Sequence, residues 1–163
     1  MKRLKVKIKN RQKKITINKK DIEQLASQIL KIKGKRRAEL SILFAGTKYI
    51  RSLNKKFRKV DAATDVLAFS MREGKGAAFK PEILGDVVIC PEIAQKSAKV
   101  YKTSVKGEIH LYLTHGILHL LGYDDSNSRN RSLMEREQVR ILKTIKKNTT
   151  KTRNFGSTEK RPL

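Results

Sequence analysis

Apolar residues recur along this chain in two periods. Leu4, Val6 and Ile8 alternate with lysines, the period of a half-buried strand, and residues 14–17 read as a second strand after a turn at Asn10-Arg11. From Asp21 the period becomes helical: Ile22, Leu25, Ala26, Ile29 and Leu30 fall on one face, and Gly34 stops the run. Residues 39–44 are strand-like again. A helix follows from about Lys48, with Ile50, Leu53 and Phe57 on one face and Arg58 at its C-terminal end. Residues 66–70 and 86–89 read as short strands. Between them, the glycine- and lysine-rich stretch 72–81 predicts a mobile loop; its Gly74 and Gly76 make no phosphate fingerprint, since a third glycine is missing and no helix clearly follows.

Pro91 suits the first turn of another helix. Residues 105–121 are apolar nearly all round, through Ile109, Leu111, Leu113, Ile117, Leu118, Leu120 and Leu121, and such a helix is buried. A last helix over about 129–146 packs Met134, Ile141, Leu142 and Ile145. The pattern predicts an α+β fold, one domain over residues 1–147. It has a small mixed sheet of about four strands, about five helices and a central buried helix. Residues 148–163 form a basic tail whose composition predicts disorder.

Composition narrows the partner. The 163 residues suffice for one core, yet only 38% are hydrophobic while 33% are charged, and the net charge is +24. The ends carry most of it, +10 over residues 1–20 and +7 over residues 140–163. That balance favours a polyanion and predicts salt-sensitive binding. Cys90 is the only cysteine, so no internal disulfide can form, which suits a reducing cytosol. It follows a strand and precedes Pro91, and reads as a packed, inert thiol. No stretch approaches a membrane span, and the basic N-terminus lacks the apolar core of a secretory signal.

The chemistry concentrates in residues 115–125. His115 and His119 lie about 40° apart on one helix face, and Gly122 can end that helix in the left-handed conformation. The turn that follows can bring Asp125 beneath the two imidazoles. Two nitrogens and a carboxylate oxygen with one open position make a catalytic transition-metal site; Asp124 is an alternative ligand one residue earlier. A zinc protease of the His-Glu-x-x-His type places its general base directly after the first histidine, where this chain has Gly116. His110 lies about 140° from His115 and reads as structural, or as a support behind the ligands, rather than as a ligand itself.

The run His115 to Asp125 resembles the His-Gly-x-Leu-His-Leu-x-Gly-Tyr-Asp-His signature of the YbeY family of bacterial rRNA maturation factors. Two further blocks are similar to that family and come in its order. One is Leu53-Asn54-Lys55-Lys56-Phe57-Arg58 followed by Thr64-Asp65-Val66-Leu67-Ala68-Phe69-Ser70; the other is Leu84-Gly85-Asp86-Val87-Val88-Ile89. The resemblance covers roughly residues 5 to 145. It favours Asp125 over Asp124 as the third ligand, where the family usually has histidine. A carboxylate there offsets more of the metal's charge and weakens it as a Lewis acid.

The resemblance implies a metal-dependent, single-strand-specific endoribonuclease of rRNA maturation and ribosome quality control, acting in the cytoplasm at the 3′ end of small-subunit 16S rRNA. It implies one divalent metal ion, zinc, on His115, His119 and Asp125. Arg58 is implied as the catalytic arginine in a basic cleft, with Lys55 and Lys56 beside it on the RNA. Its partners would be rRNA and ribosome-associated proteins. Asp65 could tie a turn, and either Asp65 or Asp86 could orient a ligand. Aromatic residues are only 6% of the chain and Trp is absent, which argues against base stacking as the main source of affinity. Two rivals remain. One is a non-catalytic rRNA-binding assembly factor whose metal stiffens the fold. The other is a peptide or small-molecule metallohydrolase, opposed by Gly116 and the charge.

Overall fold

The computed structural model describes residues 3–72 and 82–157, with side chains as far as Lys151. Gly74, Gly76 and the end of the expected tail lie outside the described residues. The elements run β1 (Lys5–Asn10), α1 (Lys19–Ile32), β2 (Glu39–Phe44), α2 (Thr47–Arg58), β3 (Val66–Ser70), β4 (Ile83–Ile89), α3 (Pro91–Tyr101), α4 (Val105–Leu120) and α5 (Ser128–Ser157). The sheet order is β1-β2-β4-β3. β1, β2 and β4 are parallel neighbours and β3 closes the edge antiparallel to β4. The α+β architecture of four mixed strands and five helices is the one that the hydrophobic pattern predicts.

Alternation along the strands divides the core. Leu40, Ile42 and Phe44 of β2, with Val87 and Ile89 of β4, face α1 and α4 in the main core. Val88 and Leu67 face the other way, into a smaller cluster with Ile50 beneath α2. Gly85 makes this division possible. The register of β4 slips between the pairs Glu39–Ile83 and Leu40–Gly85, leaving Leu84 as the extra residue. Gly85 there takes φ +141°, where an added Cβ would fall 2.0 Å from the Phe69 carbonyl oxygen.

α4 is the central helix, with Leu113, Ile117 and Leu118 fully buried. Ser104 caps its start by accepting from the Gly107 amide, and Gly122, at φ +99°, ends it. The Gly122 amide donates to the His119 carbonyl and the Tyr123 amide to Leu118, the paired bonds of a Schellman turn. His110 acts as a tie: its Nε2 lies 2.8 Å from Asp21 Oδ2 at the start of α1.

Three expectations change. Residues 14–17 are not a strand, because Gln12 takes both backbone hydrogen bonds of Ile15 in their midst. Its amide nitrogen donates to the Ile15 carbonyl at 2.7 Å and its oxygen accepts from the Ile15 amide at 2.9 Å. β1 therefore pairs with β2 rather than forming a hairpin. Phe57 is 56% exposed instead of sharing the buried face of Ile50; Asn54 takes that place, donating to the Ala62 carbonyl at 2.9 Å. Finally, α5 continues to Ser157, past the end at about 146 that apolar periodicity predicts. After Ile145 the sequence offers no Gly or Pro before Gly156 to stop a solvated helix.

Candidate metal centre

α4 and its Schellman turn set the three donors. His115 and His119, one helical turn apart, bring their Nε2 atoms to 3.1 Å, with the rings edge to face. Beyond Gly122 the chain doubles back, and Asp125 Oδ2 lies 3.8 Å from His115 Nε2 and 3.7 Å from His119 Nε2. Asp124 is committed elsewhere. Its Oδ1 accepts from the Ser126 hydroxyl, the Ser126 amide and Asn130 Nδ2, and these bonds, the hydroxyl first, hold its pKa below the usual carboxylate value. Asp124 shapes the loop and Asp125 faces the histidines.

The far side of each ring fixes its tautomer. His119 Nδ1 lies 3.1 Å from the Tyr123 carbonyl, which can only accept, so Nδ1 carries the proton and the Nε2 lone pair points at the other donors. His115 Nδ1 lies 3.1 Å from Gln138 Oε1 on α5, which sets its ring in the same sense. Burial, then the neighbouring His115 and more weakly Arg58, lower the His119 pKa, which keeps that ring neutral as a ligand must be.

Two lone pairs and a carboxylate pointing at one another are mutually repulsive unless a cation lies between them. The circle through the three atoms has a radius of about 2.1 Å, close to zinc's bonds to imidazole nitrogen and carboxylate oxygen. His115, His119 and Asp125 could therefore hold a metal ion, the one such group among the described residues. Asp125 is about half exposed, so one side of the group stays open to solvent.

Arg58, the last residue of α2, is exposed, and its charge acts on His119. Lys55 lies 3.8 Å from Asp61, and the Lys56 ammonium sits 5.2 Å from the centre of the Phe57 ring. Asp65 ties its turn, accepting from the Val66 amide at 2.7 Å and from the Thr64 hydroxyl at 3.2 Å. Asp86 is exposed on the opposite face of the sheet from α4. Cys90 is fully buried, and burial pushes its thiol pKa up.

Gln138 is the residue that sequence reasoning passed over. It is buried between Met134 and Ile141 on the packed face of α5, and a polar residue in that apolar stripe was the available signal. A second support runs through Tyr123. Lys33 Nζ donates to the Tyr123 hydroxyl at 2.7 Å and pairs with Glu137 at 3.0 Å, joining α1, the turn and α5 behind the histidines.

Relatives of known name cover most of the chain. The family described as Endoribonuclease YbeY matches residues 7–146. A protein named Endoribonuclease YbeY from Pelotomaculum thermopropionicum is 41% identical over 124 residues, 74% of this chain and 82% of that one. One of the same name from Geobacter metallireducens is 35% identical over 144 residues, 85% of this chain and 96% of that one. The solution structure of TM1509 from Thermotoga maritima aligns over 96% of this chain and 97% of its own, with a TM-score of 0.60 at 25% identity. The chain belongs to the YbeY family.

Proposed function

We propose, from that membership, that the protein is a metal-dependent, single-strand-specific endoribonuclease that matures the 3′ end of small-subunit 16S rRNA and serves ribosome quality control in the cytoplasm. The observation that carries the reading is the convergence of His115 Nε2, His119 Nε2 and Asp125 Oδ2. The shared name of its relatives and the net charge of +24 support RNA as the substrate. Residues 1–147 form the catalytic unit, and the basic segment from 148 onward adds sequence-independent attraction to the phosphate backbone.

The three donors would hold one divalent ion, zinc by their chemistry, and such an ion supplies Lewis-acid activation of a phosphate oxygen or of water. The chain's own groups do the rest. Tyr123 and Gln138 hold both imidazoles with Nε2 unprotonated. Arg58, with its fork of donors and permanent charge, stabilises the negative charge that grows on the phosphoryl oxygens. Lys55 and Lys56 hold the strand on the approach to Arg58.

The test is cleavage of single-stranded rRNA fragments by wild type, Arg58→Glu and His115→Ala, with metal content and folding checked for each. Cutting by wild type and failure of both folded variants is the expected result. A wild type that binds RNA with steep salt dependence and never cuts overturns it. That result would favour the reading as a non-catalytic assembly factor, for which the observation is Asp125, an anionic ligand that blunts a metal's acidity.

A further inference from the structure

The face of the sheet turned away from α4 is only partly covered. Between it and α2 runs a groove of about 580 Å³. Tyr49 and Phe57 of α2 form one wall, Lys7 and Lys9 of β1 the other, and Phe69 and Asp86 the floor. Tyr49 is 39% exposed and Phe57 56%. A cation lies over each ring: the Arg11 guanidinium is 4.9 Å from the Tyr49 ring centre and Lys56 Nζ, on a side chain free to swing aside, 5.2 Å from that of Phe57. Phe57 is also fixed in orientation, its ring edge to face with Phe69 at 5.2 Å. Half-exposed aromatics set among cations are the features that bind single-stranded nucleic acid: π-faces for the bases and charge for the phosphates.

Asp86 adds selectivity. It has no hydrogen-bond or ion-pair partner among the described residues. A carboxylate repels phosphate and accepts N–H donors, so in a nucleic-acid groove it suits a base edge rather than the backbone. Guanine offers N1–H and N2–H side by side, the spacing of two carboxylate oxygens; uracil offers one donor. Phe57 directly precedes Arg58, whose charge reaches His119, so α2 contributes both to the groove and to the neighbourhood of the histidines.

We propose that this groove is a nucleobase subsite in which an unpaired guanine of the RNA stacks on Phe57 and donates from its Watson–Crick edge to Asp86, while Lys9 and Lys7 take the adjoining phosphate. The subsite rests on the reading of the protein as an RNA-cleaving enzyme and gives that enzyme a preference for the bases near its cut. Lys7 is shared with Glu39, at 2.8 Å, which leaves Lys9 as the principal phosphate contact.

The experiment measures binding of an unstructured labelled hexaribonucleotide by fluorescence anisotropy on the metal-loaded protein, with the oligomer checked for integrity. One guanosine is compared with inosine, uridine or an abasic site. Wild type is expected to bind the guanosine oligomer about tenfold more tightly than the abasic one. Phe57→Ala should abolish that difference and Phe57→Trp keep it. Asp86→Asn, nearly isosteric and exposed, should still bind but no longer separate guanosine from inosine and uridine. Equal affinity for all four oligomers, or an unchanged Phe57→Ala, overturns the subsite. Cleavage is scored separately. Cutting without base preference removes the subsite and leaves the nuclease, whereas base-selective binding without cutting removes the nuclease and leaves the subsite.

Discussion

A Cβ placed on Gly116 would lie 2.6 Å from Val87 Cγ1. The helix that carries the His115–His119 pair thus rests on the sheet through a position with no side chain. This contact accounts for the missing general base of a His-Glu-x-x-His protease: the residue after His115 points into β4, and a glutamate there would be driven into the core.

Gly116→Ala should therefore destabilise the fold by about 1–3 kcal/mol through overpacking. Urea unfolding followed by circular dichroism measures it. A variant as stable as wild type would show that α4 can lift off Val87 without cost. The stabilised alternative, Val87→Ala on the Gly116→Ala background, should recover part of the loss.

Gln138→Leu removes the acceptor behind His115 and leaves the packed face of α5 apolar. Metal affinity should fall about 10–100-fold, as for other groups that orient a ligand from behind, while folding is retained. Competition against a chelator reads the affinity directly. No change would mean that His115 holds its orientation through packing alone.

Asp125→His replaces an anionic ligand by a neutral one. The bound ion would then keep more of its charge and make a stronger Lewis acid. The expected outcome is RNA cleavage that reaches half its maximum at lower pH than in wild type. A profile unmoved by the change would show that the third ligand does not set the acidity of the reacting group.

Glu137 predicts an acid limit to stability. Hydrogen bonds from Arg140 first, then Lys33, lower its pKa from 4.5 to about 2, against the cost of burial. Burial also pulls Lys33 down, and its bonds to Tyr123 and Glu137 more than offset this. Because the folded value is depressed, the stabilisation is complete above about pH 5 and is lost as pH falls towards 2. Glu137→Gln should flatten the fall in unfolding free energy between those limits. An equally steep fall would place the acid sensitivity in other carboxylates.

Much of this was legible in advance, for reasons that differ by element. β2 and β3 have the predicted limits because each is a short apolar run bounded by polar or turn residues, and Gly122 was a readable stop because few residues tolerate its φ of +99°. The convergence of His115, His119 and Asp125 was readable because two lie one turn apart on a helix and the third follows the stop. The false strand at 14–17 arose because a side chain, Gln12, satisfied the backbone in place of a partner strand. Phe57 read as core because its spacing from Ile50 is helical, but α2 overhangs a sheet face that it does not cover. Gln138 was invisible as a partner of His115 because that contact depends on how α5 crosses α4, which no local pattern encodes.

The three donors and the groups behind them, Tyr123 and Gln138, all come from residues 115–138. The spacing of the donors is thus set within one short stretch, while α4 itself is held by its packing on the sheet and α1. Arg58 and the groove beneath α2 belong instead to long-range geometry, since they need the four strands in register. Placement of the three donors and assembly of the groove thus draw on different ranges of the sequence, one local and one spread over the whole sheet.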